Sequence, residues 1–499
     1  MNGSKKIILF LAAAVLTTCA ALSGSKTPVK IEAYKALTDR NPIMTHTFGA
    51  DPTVLVYNDR VYIYMTGDVL EYDHNLNIKT NSYNNINTLR VVSSADLANW
   101  VYHEPIKAAG HDGIARWAQR SWAPAITYKK INGQDKFFLY FSNNANGVGV
   151  LTADSPLGPW TDPIGRALVS RQTPNCADVP WVFDPAVLID DDGKAYLYFG
   201  GGVPQGREAD PGSARVVQLN SDMISLAGDP VKIDVPYFFE ALAMNKLNGK
   251  YILSYCTNWS VTDQARSRLR IDRAVIAIMS GDNPMGPFTL ERTIFRNPGT
   301  FFGFWGNNHH DIFQFKGQWY LAYHSQILEE AMGIRSKGYR VTHIDTIRMN
   351  NGQFESVTGT RRGVEQAGRL NPYIWHLGAK SAISAGISFE KENASANADG
   401  AWLGIVGADF GNTGARSMTI SAYAQRGTDR RADNSIEIRT GSPFDSGNFP
   451  QSEVIGNLTI GNSESANFKL ELTKAITGIQ DIYFILNGNF VLDAWQFNE

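Results

Sequence analysis

The chain carries five copies of one plan: an acidic or polar residue, a short apolar run, a polar turn rich in Asp, Asn or Gly, then an aromatic strand alternating with period two. The clearest copy is FDPAVLIDDDGKAYLYFG, from Phe183 to Gly200. The others are ADPTVLVYNDRVYIYMT (Ala50 to Thr66), WAPAITYKKINGQDKFFLYFS (Trp122 to Ser142), FEALAMNKLNGKYILSY (Phe239 to Tyr255) and NHHDIFQFKGQWYLAYH (Asn308 to His324). Apolar alternation on both sides of such a turn predicts a β-hairpin. The copies start about 55 to 70 residues apart, which leaves room for about four strands each.

Five units of this kind predict a five-bladed β-propeller over residues 31–372, with the starts of equivalent inner strands meeting around the axis at one face. Asp51, Trp122, Asp184, Glu240 and His309 are therefore expected to share one pocket. The stretch from Arg335 to Phe354 is expected to complete the last blade, and no long amphipathic helical pattern interrupts the region, so the fold class is all-β.

After Tyr373 the texture changes to Ala, Ser and Gly, which reads as a linker over 373–386. From Ile387 short alternating strands resume (AWLGIVGADF, SMTISAYA, SIEIRTG, FKLELT, IYFILNG, FVLDAWQF) and predict a jelly-roll-like β-sandwich over 387–499. At the other end, residues 1–25 combine Lys5 and Lys6 with an apolar run from Ile7 to Leu16 and small residues after it, the pattern of a secretory signal. Leu16 to Cys19 resembles a lipoprotein processing site, so two outcomes are open: simple cleavage, or a lipid on Cys19 as the single link to a membrane. Either way the protein is expected to be exported: periplasmic, secreted or anchored at the bacterial envelope. An export compartment permits a disulfide between the two remaining cysteines, Cys176 and Cys256, but two are too few for a disulfide scaffold, and buried thiols are the expectation.

Composition narrows the partners. Lys and Arg number 46 against 48 Asp and Glu, the formal net charge is −2 and no basic run occurs, so nucleic acid and acidic membrane surfaces are excluded as partners. Aromatics at 11% suit stacking on sugar rings, although a plain β core uses the same residues.

Three carboxylates around one axis point to glycoside hydrolysis. Two of them on opposite sides of a glycosidic bond suffice, one protonating the leaving oxygen while the other activates water. A third close by keeps the acid protonated near neutral pH, because like charges raise a pKa. Taken singly each residue has a bland reading: Asp51 and Asp184 as turn residues before Pro, Glu240 as a solvated strand start, Trp122 as core. His309 and its neighbour His310 are open between packing, a turn, a metal ligand and a buried hydrogen-bonding group. Their shared place in the repeat is what sets them apart, and the two Phe before Glu240 give it an apolar setting suited to an acid.

On ADP (Ala50 to Pro52), SWAPA (Ser121 to Ala125), FDPAVLIDDDGKAYLYFG, FFEA (Phe238 to Ala241) and NNHHDIF (Asn307 to Phe313), the chain resembles glycoside hydrolase family 43. The resemblance implies a five-bladed propeller that hydrolyses arabinofuranosyl or xylosyl linkages with inversion and needs no cofactor for the chemistry. By motif, Asp51 matches the general base, Glu240 the general acid, and Asp184 the residue that tunes the acid and orients substrate. His309 matches a His that holds a central water or calcium ion, and Arg340 an Arg near the sugar, with Trp122 as a further substrate contact. The run from Ala115 to Gly206 looks like the arabinoxylan-acting branch. That implies removal of α-L-arabinofuranosyl side groups from arabinoxylan or its oligosaccharides, with β-xylosidase activity and a non-catalytic glycan-binding propeller as the alternatives. The C-terminal part resembles a family 6 carbohydrate-binding module, on GAWLGIVGADFG, SIEIRTGSP and DIYFILNGNFVLDAWQF, which implies a structural calcium there too. It departs from that module in the loop GNSESANF, where Phe468 is the nearest aromatic in place of a Trp, so glycan binding and a structural role both stand.

Overall fold

The computed structural model describes residues 31–425, 433–442, 452–464 and 466–499. The expected signal at 1–25, with Cys19, lies outside the described residues. Within them the chain is built from antiparallel strands, with three short helices at Asp263–Leu269, Gly299–Phe302 and Ile327–Ala331. The fold is all-β.

Each of the five repeats is a hairpin that opens a sheet. The first sheet contains β1 (Ala50–Tyr57), β2 (Arg60–Thr66), β3 (Leu89–Ser94) and β4 (Trp100–Tyr102); the second contains β5 (Trp122–Ile131), β6 (Gln134–Ser142), β7 (Gly147–Ala153) and β8 (Val169–Ser170). The third holds β9 (Ala186–Ile189), β10 (Ala195–Phe199), β11 (Ala214–Leu219) and β12 (Val231–Ile233), and the fourth β13 (Phe238–Leu247), β14 (Lys250–Thr257), β15 (Ile276–Gly281) and β16 (Thr289–Phe295). The fifth has three strands, β17 (His310–Phe315), β18 (Gln318–Ser325) and β19 (Val341–Ile347). Four of the hairpins turn on pairs with positive φ at both residues, Asn58-Asp59, Asn132-Gly133, Asn248-Gly249 and Lys316-Gly317. Two-residue turns of that kind match the twist of the flanking strands, which is why Asn, Asp and Gly punctuate the repeats.

The second strand of each hairpin is an almost unbroken apolar run because it is covered on both faces. Tyr64 and Val91 pack against Phe137 and Leu139 of the next sheet; Phe138 and Tyr140 pack against Leu197 and Phe199; Tyr198 packs against Leu253 and Tyr255; Ile252 packs against Leu321 and Tyr323. The series then returns to its start, with Phe313 and Ala322 in one core with Ile63 and Val92. The first strands follow the same order: β1 lies against β5 and β17, β9 against β5 and β13, and β13 against β17. The stretch from Arg335 to Phe354 completes the fifth sheet only in part. β19 joins it, whereas Met349–Asn350 and Gln353–Phe354 form a separate ribbon. The free edge of β19 takes its hydrogen bonds from upstream of β1 instead, Ile43 N–H to the Thr342 carbonyl and Gly49 N–H to that of Arg340, each at 3.0 Å.

Residues 373–386 are not a plain linker. His376–Leu377 pairs with Phe490–Asn498, Lys380–Ser381 with β4, and Ile383–Ala385 with Ala401–Asp409. The small residues that suggested a spacer reflect close approach: a Cβ on Gly378 would stand 1.9 Å from the Leu492 carbonyl oxygen. Downstream, two sheets enclose a core containing Phe484, Trp495 and Phe497. Phe468 packs against that core.

This part is bound tightly to the rest. Asn99 exchanges two hydrogen bonds of 2.9 Å with the Val406 backbone, His103 meets Glu392 at 2.6 Å, and the Phe389 ring lies 4.6 Å from that of Tyr102. Ile31, Ala33 and Leu37 lie over the Trp402 and Tyr483 rings, and the Trp402 indole N–H donates to the Ile31 carbonyl at 2.8 Å. Cys176 and Cys256 are both free and buried.

Candidate active site

The first strands enter the centre through bulges. Pairing of β1 with β2 slips between Ala50 and Thr53, of β5 with β6 between Trp122 and Ala125, and of β13 with β14 on either side of Glu240. At these mouths Asp51, Ala123, Asp184 and Ala241 take left-handed φ values of 48°, 35°, 49° and 60°. A bulge re-aims the side chain beside it, and Asp tolerates the left-handed region better than most residues. The backbone equivalence differs by one residue from that expected from the repeat, since Trp122 and Glu240 precede the positions that match Asp51 and Asp184. Each bulge N–H is held by a neighbouring sheet. Asp51 donates to His324 Nδ1 (3.1 Å), Ala123 to Thr66 Oγ1 (2.7 Å), Asp184 to Ser142 Oγ (2.9 Å) and Ala241 to Asp184 Oδ2 (3.1 Å).

The three carboxylates share one buried hollow. His309 Nδ1 stands 3.7 Å from both Asp51 Oδ1 and Asp184 Oδ2, bridging them. Arg340, 3% exposed, donates from Nη1 to Asp51 Oδ1 at 2.7 Å. Its Nε and Nη2 grip Asp68 at 3.0 and 2.8 Å, and its guanidinium carbon lies 5.1 Å from the Tyr83 ring centroid. Trp122 is half-buried, its indole N–H donating to the Tyr83 carbonyl at 3.1 Å and its ring centroid 6.3 Å from that of Tyr83.

Electrostatics divide the acids. Burial alone pushes the Asp51 carboxyl up, but the Arg340 guanidinium outweighs it and holds Asp51 well below the usual carboxylate range. Glu240, 7% exposed, goes the other way: burial and then the Asp51 charge raise it to about 8, against the opposing pull of Arg340 and Asn307. Its Oε1 is buried without a hydrogen-bond partner. Burial, followed by repulsion from Glu240 and Asp51, also places Asp184 well above its ordinary range. Asp184 and Glu240 titrate as one interacting pair. Burial pushes His309 down to about 4, so it is neutral at pH 7. One ionised and one protonated carboxyl in one hollow is what acid–base cleavage of an acetal needs.

A calcium ion through His309 does not fit this arrangement. Calcium takes six to eight oxygen ligands, whereas His309 offers nitrogen and the facing Asp51 oxygen is already engaged by Arg340. Among the described residues, C-terminal part included, no three or more His, Cys, Asp or Glu side chains converge as a metal site.

Asp68, Tyr83 and His324 belong to the site but were not singled out from the sequence. Two of them carried a readable signal. His324 is the last residue but one of an apolar second strand, near where Thr66 and Ser142 end theirs, and Asp68 follows Thr66 by two residues. A polar residue at the mouth end of a buried strand meets either the neighbouring bulge or the hollow. Tyr83 lies in a long connection, with a φ of 58°, and nothing in the repeat pointed to it.

Residues 39–354 match the family model for glycosyl hydrolases family 43, and residues 378–499 that for carbohydrate binding module family 6. An arabinoxylan arabinofuranohydrolase of Paenibacillus polymyxa is 41% identical over 486 residues, covering 92% of this chain and 74% of that protein. One from Bacillus subtilis (strain 168) is 41% identical over 497 residues, covering 93% of each. The crystal structure of a family 43 arabinoxylan arabinofuranohydrolase from Bacillus subtilis, in complex with cellotetraose, is similar with a TM-score of 0.87 at 40% identity, over 94% of this chain and 99% of that one.

Proposed function

Because this chain belongs to glycosyl hydrolases family 43, an inverting family, we propose that it removes α-L-arabinofuranosyl side groups from arabinoxylan. Glu240 acts as general acid, Asp51 as general base, and Asp184 orients substrate and keeps the Glu240 proton in place. The observation that carries this reading is the opposite charging of two carboxyls in one hollow. Asp51 is kept ionised by Arg340, and Glu240 has a buried, unpartnered oxygen and is raised to about 8. The Glu240 proton goes to the departing glycosidic oxygen while Asp51 takes one from a water attacking the far side of the sugar. No cofactor enters these steps. Arg340 holds Asp51 in place and Trp122 walls the pocket.

The same reading takes the five sheets as blades of one propeller, supported by cores that return from the fifth sheet to the first, and the two C-terminal sheets as a β-sandwich. It places the protein outside the cytoplasm, supported by the pattern of residues 1–25 and by a substrate too large to cross a membrane. Retention of Cys19→Ala in the membrane fraction would remove the lipid from this picture.

Product analysis on arabinoxylan, arabinan and a xylo-oligosaccharide series tests the function. Arabinose alone, with the xylan chain intact, is expected. Xylose from oligosaccharide ends would replace this reading with a β-xylosidase, and binding without any product would leave a non-catalytic glycan-binding propeller.

The pH profile follows from the same charges. The kcat/KM value is expected to fall on the alkaline side, no lower than the value of about 8 to which Glu240 is raised, as the Asp184–Glu240 pair gives up its protons. Asp184→Asn keeps an acceptor for the Ala241 N–H but removes one of the repelling charges. It is expected to lower kcat and to move the alkaline limb to lower pH, and a limb that stays put would take Asp184 out of the tuning role.

A further inference from the structure

A groove of about 310 Å³ lies on the connections that follow β14 and β16, bordered by Trp259, Asp272, Arg273, Arg296, Asn297 and Trp305. Its volume is at the low end of the range for ligand clefts, about 300 to 1,000 Å³. It adjoins the reacting groups through two connections. Trp259 comes three residues after Cys256, whose backbone pairs with Glu240, and Trp305 comes two before Asn307, whose side chain acts on the Glu240 carboxyl. The Asn297 amide ties the connections together, donating to the Gly306 carbonyl at 2.9 Å and to that of Ala274 at 3.2 Å, and Asn308 donates to the same Ala274 oxygen at 3.1 Å.

Both tryptophans are open to solvent, Trp259 by 40% and Trp305 by 58%. The Trp305 ring is nevertheless held. A Cβ on Gly299 would come within 2.5 Å of it, so the ring lies directly on glycine backbone. Three residues of the groove carry charge, Asp272, Arg273 and Arg296. Asp272 is engaged by Arg266 Nε at 2.9 Å, while among the described residues neither the Arg273 nor the Arg296 guanidinium meets a carboxylate. A fixed indole face such as that of Trp305 suits a sugar ring, and a guanidinium fork suits a carboxylate, which it grips through two parallel hydrogen bonds. A neutral pentose would leave both guanidiniums without use.

We infer that this groove is a subsite for a uronic-acid-bearing sugar on the polysaccharide, next to the linkage being cut. The inference rests on the hydrolase reading above for the identity of the polymer. It predicts faster release of arabinose from an acidic xylan than from a neutral one, through a lower KM and in a salt-sensitive way.

Two measurements test it. The first compares kcat/KM on a uronate-bearing arabinoxylan with that on the same polymer after its carboxyls are reduced to alcohols. The wild type is expected to favour the acidic polymer by roughly three- to tenfold at low salt. Arg273→Ala/Arg296→Ala should lose that preference through KM while cleaving a small aryl arabinofuranoside at the wild-type rate. The second is calorimetric titration of Glu240→Gln, alone and combined with the two Arg substitutions, with a uronate-bearing xylo-oligosaccharide, which reads the groove without turnover. Tighter binding in the presence of both arginines supports the subsite. Equal binding with and without them, or no preference for the acidic polymer, overturns it. Failure of the wild type on the aryl arabinofuranoside would instead strike at the hydrolase reading, with the titration still deciding the subsite.

Discussion

Glu240→Gln is expected to lower kcat on arabinoxylan by about 10²- to 10⁴-fold, the contribution of a general acid, while leaving the protein folded and more stable than the wild type at neutral pH. The loss should be smallest on an aryl arabinofuranoside with a good leaving group, because such an oxygen departs without a proton. The gain in stability follows from linkage. A carboxyl raised to about 8 in the folded protein binds a proton that the unfolded chain has released above about pH 4.3. That mismatch costs stability, increasingly as pH rises from the unfolded value towards 8, and on the order of a few kcal/mol once the window is crossed. The amide removes it. Denaturant melts at pH 5 and pH 7.5 should show the variant gaining on the wild type mainly at the higher pH. Equal turnover of the two proteins would remove Glu240 from the mechanism, and a variant destabilised at pH 7.5 would contradict the charge state assigned to it.

Arg340→Met should be the most damaging single change for fold and activity together. The guanidinium binds Asp51 with one arm and Asp68 with two others, all three residues being buried. Removing one partner of a buried ion pair typically costs about 3 to 5 kcal/mol, since the orphaned charge stays inside. Two carboxylates are orphaned here. Asp51 also loses the main influence that keeps it below the ordinary range, so it would hold a proton where a base is required. The depressed Asp51 carboxyl contributes stability above its unfolded value near pH 4, and that contribution disappears as pH falls through the folded value. Arg340→Met should therefore melt at lower denaturant concentration at pH 7, with the difference from wild type narrowing in acid, and should lose kcat at every pH. A variant with unchanged melting at pH 7 would show that the pair carries no net stabilisation.

The five hairpins were legible because two rules agree in them: period-two alternation and a turn built from Asn, Asp or Gly. Their convergence was legible as well, since residues at the start of equivalent strands must meet if the sheets form a ring. What the sequence concealed was local. The bulges move the matching positions by one residue, so Asp51 and Asp184 share a backbone conformation with Ala241 and not with Glu240. No pattern of residue types distinguishes a strand that bulges before its first residue from one that bulges after it. Residues 373–386 misled for a related reason. Ala, Ser and Gly serve a spacer and a tightly docked strand equally well, and only the partner, here β4 and the Leu492 backbone, tells them apart. Arg340 was expected near the sugar on the family resemblance alone. Its part in fixing the charge of Asp51 needed Asp68, which lies 272 residues away along the chain.

The covering of Trp402 and Tyr483 by Ile31, Ala33 and Leu37, with Lys380–Ser381 stitched to β4, bears on how the enzyme would work on a fibre. A module on a slack tether holds its partner near a surface yet lets it graze over many positions, the gain in local concentration depending on tether length. Here there is no slack. Both halves must approach polysaccharide as one solid object, so each landing presents the hollow to a single stretch of chain, and reaching the next branch requires the whole molecule to let go.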